Sequence, residues 1–246
     1  MNILLTNDDG ISSPGLLALA DVLRSVGKVT VVAPAGERSG VGHAITYRGS
    51  LTAERVSLGD GQVGHALSGT PADCVHFAIS GLLDARPDVV VSGINLGPNL
   101  GFDIFYSGTV AAAIEGAMNG ILSLAFSTCR GDGRQLFLAA EQALRVFNMI
   151  VGDDRMCALA YNVNIPALHG QQPEVRFTRH RAMTFNVWRE DEAAASREDS
   201  GHQAGEEEQL VQCDAWDVNA VEAGMISVTP LRASLTDMDS LRRLQQ

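Results

Sequence analysis

The sequence predicts an α/β protein: a three-layer, doubly wound, mainly parallel sheet followed by a β-rich extension. Three observations carry that expectation. Short apolar runs alternate with helical patterns over the first two-thirds of the chain. Those runs lack the polar alternation of a half-solvated strand, so both of their faces must be covered. Beyond residue 168 the helical periodicity stops, and strand-like runs surround a strongly acidic stretch. The chain therefore divides into a core, 1–168, and an extension, 169–246, with an acidic loop at 189–208.

The elements follow in order. Residues 2–6 read as a central strand. Ser13-Pro14 supplies an N-cap and a proline at the first helical position. Leu16, Leu19, Ala20 and Leu23 then recur at helical spacing, with Gly27 as the stop. Residues 28–33, ended by Pro34, complete a βαβ unit whose second strand should run parallel to the first. Residues 44–67 read as two or three short strands with a hairpin turn at Gly59-Asp60-Gly61. Thr70-Pro71-Ala72-Asp73 opens a helix with a capping threonine and an acid at N3, and the helix should reach about Leu83. Pro87–Val91 is a buried strand ending at Ser92-Gly93. A glycine-rich loop, 95–108, leads into helix 109–119 and strand 121–127. Helix 134–150 is expected to bury Phe137, Ala140, Leu144 and Phe147, and 157–163 is the last core strand. The extension should hold strands near 174–179, 183–188, 209–214 and 225–229.

Composition narrows the function classes. With 46% hydrophobic residues among 246, the chain can bury a full core. Cys74, Cys129, Cys157 and Cys213 are scattered without zinc spacing, so they read as reduced, mostly buried thiols. The N-terminus lacks a basic region, and its apolar run falls short of the roughly 7–15 residues of a secretory signal. No stretch approaches the roughly 20 apolar residues of a membrane span. A cytoplasmic protein with no membrane partner is expected. The net charge of −11 argues against a nucleic-acid duplex as partner. Much of that charge sits in residues 190–208, where eight acids face Arg197 alone. A small phosphorylated substrate remains compatible with the rest, particularly beside a cation.

Four polar clusters fall where strands end, which is where open α/β sheets bind ligands. Asn7-Asp8-Asp9-Gly10 follows the first strand. Two adjacent carboxylates there repel and lose solvation, and a hard divalent cation relieves both penalties. The bland alternative is one aspartate capping the turn and the other solvated. Ser39, in Glu37-Arg38-Ser39-Gly40, offers a hydroxyl or is simply a turn residue. Asn95 and Asn99 lie in the run 92–101, whose glycines let backbone approach a ligand. Their amides suit a cation or a phosphate, and Asn99 serves equally as a structural loop residue. Ser107-Gly108-Thr109 opens a helix whose free N–H groups suit an anion. His43 is either an acid–base group or a hydrogen bond within its loop.

Three familiar phosphate-handling designs fail on detail. The first strand is followed by N-D-D-G rather than G-x-G-x-x-G. The chain's single lysine, Lys28, is not in a G-K-[ST] motif. Asn7 stands where a covalent aspartyl mechanism needs its nucleophile.

The ordered set N-D-D-G at 7–10, R-S-G at 38–40, G-T-P-A-D-C-V at 69–75, S-G-I-N-x-G-P-N-L-G at 92–101 and Y-S-G-T-V at 106–110 resembles the SurE family. N-V-N-I-P at 162–166 and S-V-T-P-L at 227–231 extend the likeness along nearly the whole chain. The resemblance implies a Rossmann-like, SurE-like fold and a metal-dependent 5′-nucleotidase, in some members also a 3′-nucleotidase. It implies one divalent cation per subunit, magnesium or manganese, on Asp8, Asp9, Ser39 and Asn95. It also implies phosphate binding by Asn7, Asn99, Ser107, Gly108 and Thr109. Asp8 and Asp9 would be the catalytic pair, nucleoside monophosphates the substrates, and a homodimer or homotetramer the assembly. Leu96, Phe102 and Trp216 depart from the family's usual residues at positions that bear on substrate preference and assembly. The competing functions are a nucleotide- or phosphate-binding regulator with little turnover, and an assembly role for the extension.

Overall fold

The computed structural model describes residues 1–59, 61–129, 133–170, 172–181 and 216–245. The core opens with β1 (Asn2–Thr6), α1 (Pro14–Leu23) and β2 (Lys28–Pro34), followed by the hairpin β3 (Ala53–Gly59) and β4 (Gln62–Leu67). Next come α2 (Pro71–Phe77), continued by a π-helical turn at Ala78–Leu82, and β5 (Val89–Leu96). A 3-10 turn at Gly101–Phe105 precedes α3 (Gly108–Met118), β6 (Leu122–Thr128), α4 (Gly133–Val151) and β7 (Ala160–Ile165). The chain then forms β8 (Val175–Phe177), α5 (Asp217–Glu222), β9 (Ile226–Leu231) and α6 (Met238–Leu244).

Strand alternation sets the layers. In β1, Ile3 and Leu5 enter one buried cluster and Leu4 another; β2 and β5 repeat the split with Val31 and Ala33 against Val32, and Val89 and Val91 against Val90. The first cluster is completed by Leu16, Leu19 and Leu23 of α1 and by Ala140, Val146 and Phe147 of α4. The second is completed by Cys74 and Val75 of α2 and by Ala112 of α3. Helices thus cover both faces, which is why the central strands read as unbroken apolar runs.

Among the described residues the strands form one sheet in the order β3-β4-β2-β1-β5-β6-β7-β9-β8. All neighbours are parallel except β3 with β4 and β7 with β9. From β1 the chain steps outward to β2 and later returns to β5 on the opposite side of β1. The winding reverses between β1 and β5, which in open α/β sheets leaves a crevice beyond the carboxyl ends of the strands.

The α/β reading, the hairpin and the helix start at Thr70 agree with the sequence. Thr70 and Asp73 form a reciprocal capping box: Asp73 N–H donates to Thr70 Oγ1 at 3.1 Å and Thr70 N–H to Asp73 Oδ2 at 2.9 Å. Several expectations are corrected. Ser13 stands at the α1 N-cap without a side-chain capping bond, and the helix ends at Leu23, ahead of Gly27. In α4 the buried stripe is Leu136, Ala139, Ala140, Ala143, Val146, Phe147 and Ile150, and Phe137 is 58% exposed. Phe137 falls off that stripe, one position past Leu136. The last core strand begins at Ala160, not at 157, and Cys157 is exposed rather than buried. β5 runs past Ser92 to Leu96, through a register shift against β6 between Ser92 and Asn95. β8 and β9 match the strands expected near 174–179 and 225–229. The expected strands 183–188 and 209–214, loop 189–208 and Cys213 lie outside the described residues. Among the described residues no helix is long and apolar enough to cross a membrane.

Asp73 also accepts from Thr46 N–H at 2.8 Å and Thr46 Oγ1 at 2.7 Å. Burial raises its carboxyl, but these bonds and those from Thr70 prevail and hold it below the ordinary 3.8. Asp73→Ala should cost about 2–3 kcal/mol in denaturant unfolding at pH 7. Because the folded value lies below the unfolded one, that difference is full above the ordinary value. It should shrink as acid protonates Asp73 in the folded parent.

Candidate active site

Asn7 closes the turn that leaves β1. Its Nδ2 donates to Gly10 O at 3.0 Å, and Gly10 N–H donates back to Asn7 Oδ1 at 3.2 Å. The turn projects the next two carboxylates into different surroundings. Asp8 is buried against the amino end of α3, where the Thr109 hydroxyl donates to Oδ1. Burial raises the Asp8 carboxyl above the ordinary 3.8, opposed by the Thr109 hydroxyl and by the N–H groups of Asp8, Thr109 and Gly108. Gly108 must be glycine, since a Cβ there would lie 2.8 Å from Asp8 Cβ. Ser107 caps the helix, accepting from Val110 N–H at 3.1 Å.

Asp9 is half-buried and has no comparable set of donors. Burial first, then the Asp8 charge and that of Glu37, push its carboxyl up to about 6 against the pull of the Leu96 N–H and the Ser13 hydroxyl. Its Oδ2 is buried with no hydrogen-bond partner among the described residues. Leu96 ends β5, so the two strands flanking the winding reversal meet at Asp9.

The loop after β2 is fastened to this turn. Arg38 N–H donates to Asp8 O at 2.7 Å, and its guanidinium reaches Ser68 O at 3.0 Å. Ser39 is exposed, and its hydroxyl donates to Glu37 Oε1 at 2.7 Å rather than to either aspartate. Farther along, Gly42 N–H donates to Tyr106 O at 2.9 Å, and His43 Nε2 lies 3.0 Å from the buried Glu115 Oε2. The His43 contact, with help from His76 at 3.7 Å, outweighs burial and holds the Glu115 carboxyl below its ordinary 4.5. The His43 bond thus reaches across to α3 rather than staying within its own loop.

Past Ser92, Gly93 adopts φ 128°, and a Cβ there would meet Phe126 O at 2.3 Å. The displaced register carries Asn95 to the strand end, where its Nδ2 donates to Gly97 O at 2.7 Å. That leaves its amide oxygen as the end suited to a cation. Asn99 is buried on the opposite flank. Its N–H donates to Asn164 Oδ1 at 2.8 Å, and its Nδ2 donates to Ser127 Oγ at 2.7 Å. Asn162 and Asn164 both donate to its carbonyl, at 2.8 and 3.0 Å.

Asp8 therefore gathers Arg38, Gly108 and Thr109 about itself, and Asp9 joins the end of β5. Ser39 and Asn99 are held by other partners. The reading by clusters missed Glu115, Ser127, Asn162 and Asn164. The asparagine pair was detectable, because N-x-N in a strand presents both amides on one face.

Among the described residues no three His, Cys, Asp or Glu side chains cluster as a metal site. The candidate donors are oxygens: two carboxylates, the Asn95 amide and the Ser39 hydroxyl, which suit a hard cation. The unpartnered Asp9 oxygen and the raised carboxyls are what such a cation relieves, so these residues fit one. Without it, Asp9 is a liability at neutral pH. Its folded value near 6 lies above the ordinary 3.8, so the penalty is absent in acid and complete above pH 6. In excess chelator, Asp9→Asn should melt higher than the parent at pH 8, with the gain vanishing toward pH 4. An equal or lower melting temperature at pH 8 contradicts the assignment.

A sequence profile of the family described as Survival protein SurE matches residues 3–187. The chain is 42% identical over 242 residues to the 5′-nucleotidase SurE of Moorella thermoacetica, covering 96% of this chain and 92% of that one. It is 40% identical over 250 residues to the 5′-nucleotidase SurE of Herpetosiphon aurantiacus, covering 99% and 97%. The crystal structure of the SurE protein from Aquifex aeolicus matches with a TM-score of 0.79 at 35% identity, covering 100% of both chains. With its paired aspartates, its sheet and its full-length likeness to these proteins, the chain belongs to the SurE family.

Proposed function

We propose that the protein is a metal-dependent 5′-nucleotidase that hydrolyses nucleoside monophosphates to nucleoside and phosphate. One observation carries the proposal. A buried, unpartnered Asp9 oxygen lies next to an Asp8 fixed on a helix amino end, at the crevice where the sheet reverses its winding. Relatives at 40–42% identity that bear the name 5′-nucleotidase SurE support the substrate class.

In this reading Asp8, Asp9, Asn95 and Ser39 hold one magnesium or manganese ion per subunit. When bound, the ion supplies the positive charge that offsets phosphate and makes a water more acidic. The protein's part is orientation. Thr109 and the α3 amides oppose the burial that raises the Asp8 carboxyl and hold it in place, so it needs no rearrangement during reaction. Ser39 must turn from Glu37 to join the donors. On the phosphate side, Ser107 accepts from Val110 and retains its own O–H to donate. Asn99 Nδ2 carries a second N–H beyond the one directed at Ser127, and Asn7 Nδ2 likewise beyond Gly10. Such donors hold phosphate oxygens as charge moves toward the leaving group. The same reading makes the enzyme a cytoplasmic homodimer or homotetramer.

The test is phosphate release from a panel of 5′- and 3′-nucleoside monophosphates with manganese, magnesium or excess chelator. Release that requires a cation supports the proposal, and the ranking of the panel defines base and position. Nucleotide-stabilised melting without release would instead favour a binding regulator. Asp9→Asn should lower kcat by about 100-fold or more and abolish the cation-induced rise in melting temperature.

A further inference from the structure

We infer that Asn162 and Asn164 of β7 are positioning residues that aim Asn99 at the substrate's phosphate group. The inference rests on the phosphate role of Asn99 in the reading above. It starts from register. Ala125 and Ser127 of β6 pair with Asn162 and Asn164 of β7, while the intervening Val163 enters the cluster under α1 and α4. Both asparagines therefore face the α3 side, where Ala125 packs with Val110 and Ala113. Beyond the register shift in β5, Asn95, Ser127 and Asn164 lie in one transverse row. The cation-suited amide and the support of Asn99 thus share a rigid line of the sheet.

The hydrogen bonds fix what each amide does. Asn164 Oδ1 accepts the Asn99 N–H, and Asn164 Nδ2 donates to the Asn99 carbonyl. A backbone N–H can only donate and a carbonyl can only accept, so the orientation of the Asn164 amide is determined. Asn162 Nδ2 adds a second donor to the same carbonyl. The Asn99 backbone is gripped on both sides by side chains from another strand, and Ser127 steers its amide.

Asn162 makes a purely structural explanation inadequate. It is completely buried, yet its Oδ1 has no hydrogen-bond partner among the described residues. An unsatisfied buried acceptor is destabilising, and an apolar residue of similar size would avoid it. Among the described residues the single side-chain hydrogen bond of Asn162 serves the Asn99 carbonyl. A loop requiring no more than anchorage has that from Asn164 already. Two amides on one peptide unit set its direction as well as its place.

The test uses the full-length protein loaded with manganese and follows inorganic phosphate binding by calorimetry alongside nucleotide turnover. Asn164→Ala and Asn162→Ala should each weaken phosphate binding roughly tenfold and raise KM in parallel, while kcat falls less than about threefold. The manganese midpoint in a melting titration should stay at the parent's value. Either variant can carry the test if the other fails to fold. Phosphate affinity within twofold of the parent in a folded variant refutes the inference. So does a manganese midpoint that shifts along with phosphate affinity, since the pair would then support the whole site. A parent that binds phosphate without turnover removes the hydrolase reading and leaves the comparison of variants valid. A parent that binds no phosphate removes the role assigned to Asn99 and the inference with it.

Discussion

The Asp8 carboxylate seated on the amino end of α3 ties together three parts of the chain that are distant in sequence. It accepts from the Thr109 hydroxyl, requires the bare backbone of Gly108, and belongs to the residue whose carbonyl receives Arg38 N–H. The strand, the helix and the loop after β2 are thereby fixed relative to one another. A helix amino end favours an anion, and here the protein places its own anion there. This leaves Asp9, one residue on, with burial and a neighbouring charge but no equivalent relief. The inequality between the two carboxylates follows from a single turn and a single helix start.

That inequality sets stability against the proposed chemistry. An asparagine at position 9 would remove a buried charge, and an isolated fold would be better for it. Retaining an aspartate makes sense when a cation completes the site, and the folded state is then stabilised by whatever binds it. Asn162 shows the same pattern at the other flank, where an acceptor without a partner persists beside a useful donor. Buried polar atoms without a partner thus occur on both flanks, at Asp9 and at Asn162.

Much of the fold was legible because its signals are local. The unbroken apolar runs of β1, β2 and β5, the capping box at Thr70 and Asp73, and the hairpin at 53–67 each need only a few neighbouring residues to declare themselves. Phe137 misled because residue size outweighed the stripe of small residues around Ala140 and Ala143. The extension of β5 past Ser92 was hidden by its glycine, which reads as a terminator and acts as a point of close approach to Phe126. In the site, the residues that announce themselves are charged or follow a strand, as Asp8 and Asp9 do. Their supports are neutral, buried and far away in sequence: Ser127 and Asn164 reach Asn99 across 28 and 65 positions. No short window contains such a pair, and only the register of the sheet brings it together.

The attachment of Asn99 to strands rather than to its own loop also divides the crevice into a conservative part and an adaptable one. Asn99 takes its direction from β6 and β7, whose backbones are locked by the sheet. The exposed Leu96, Phe105 and Tyr106 flank it in sequence, and their side chains are not among the partners that hold it. Substitutions at those rims alter the shape and polarity presented to an incoming molecule without moving the anchored amide. What the chain presents to a small molecule can therefore change at its surface while the direction of the Asn99 amide stays with β6 and β7.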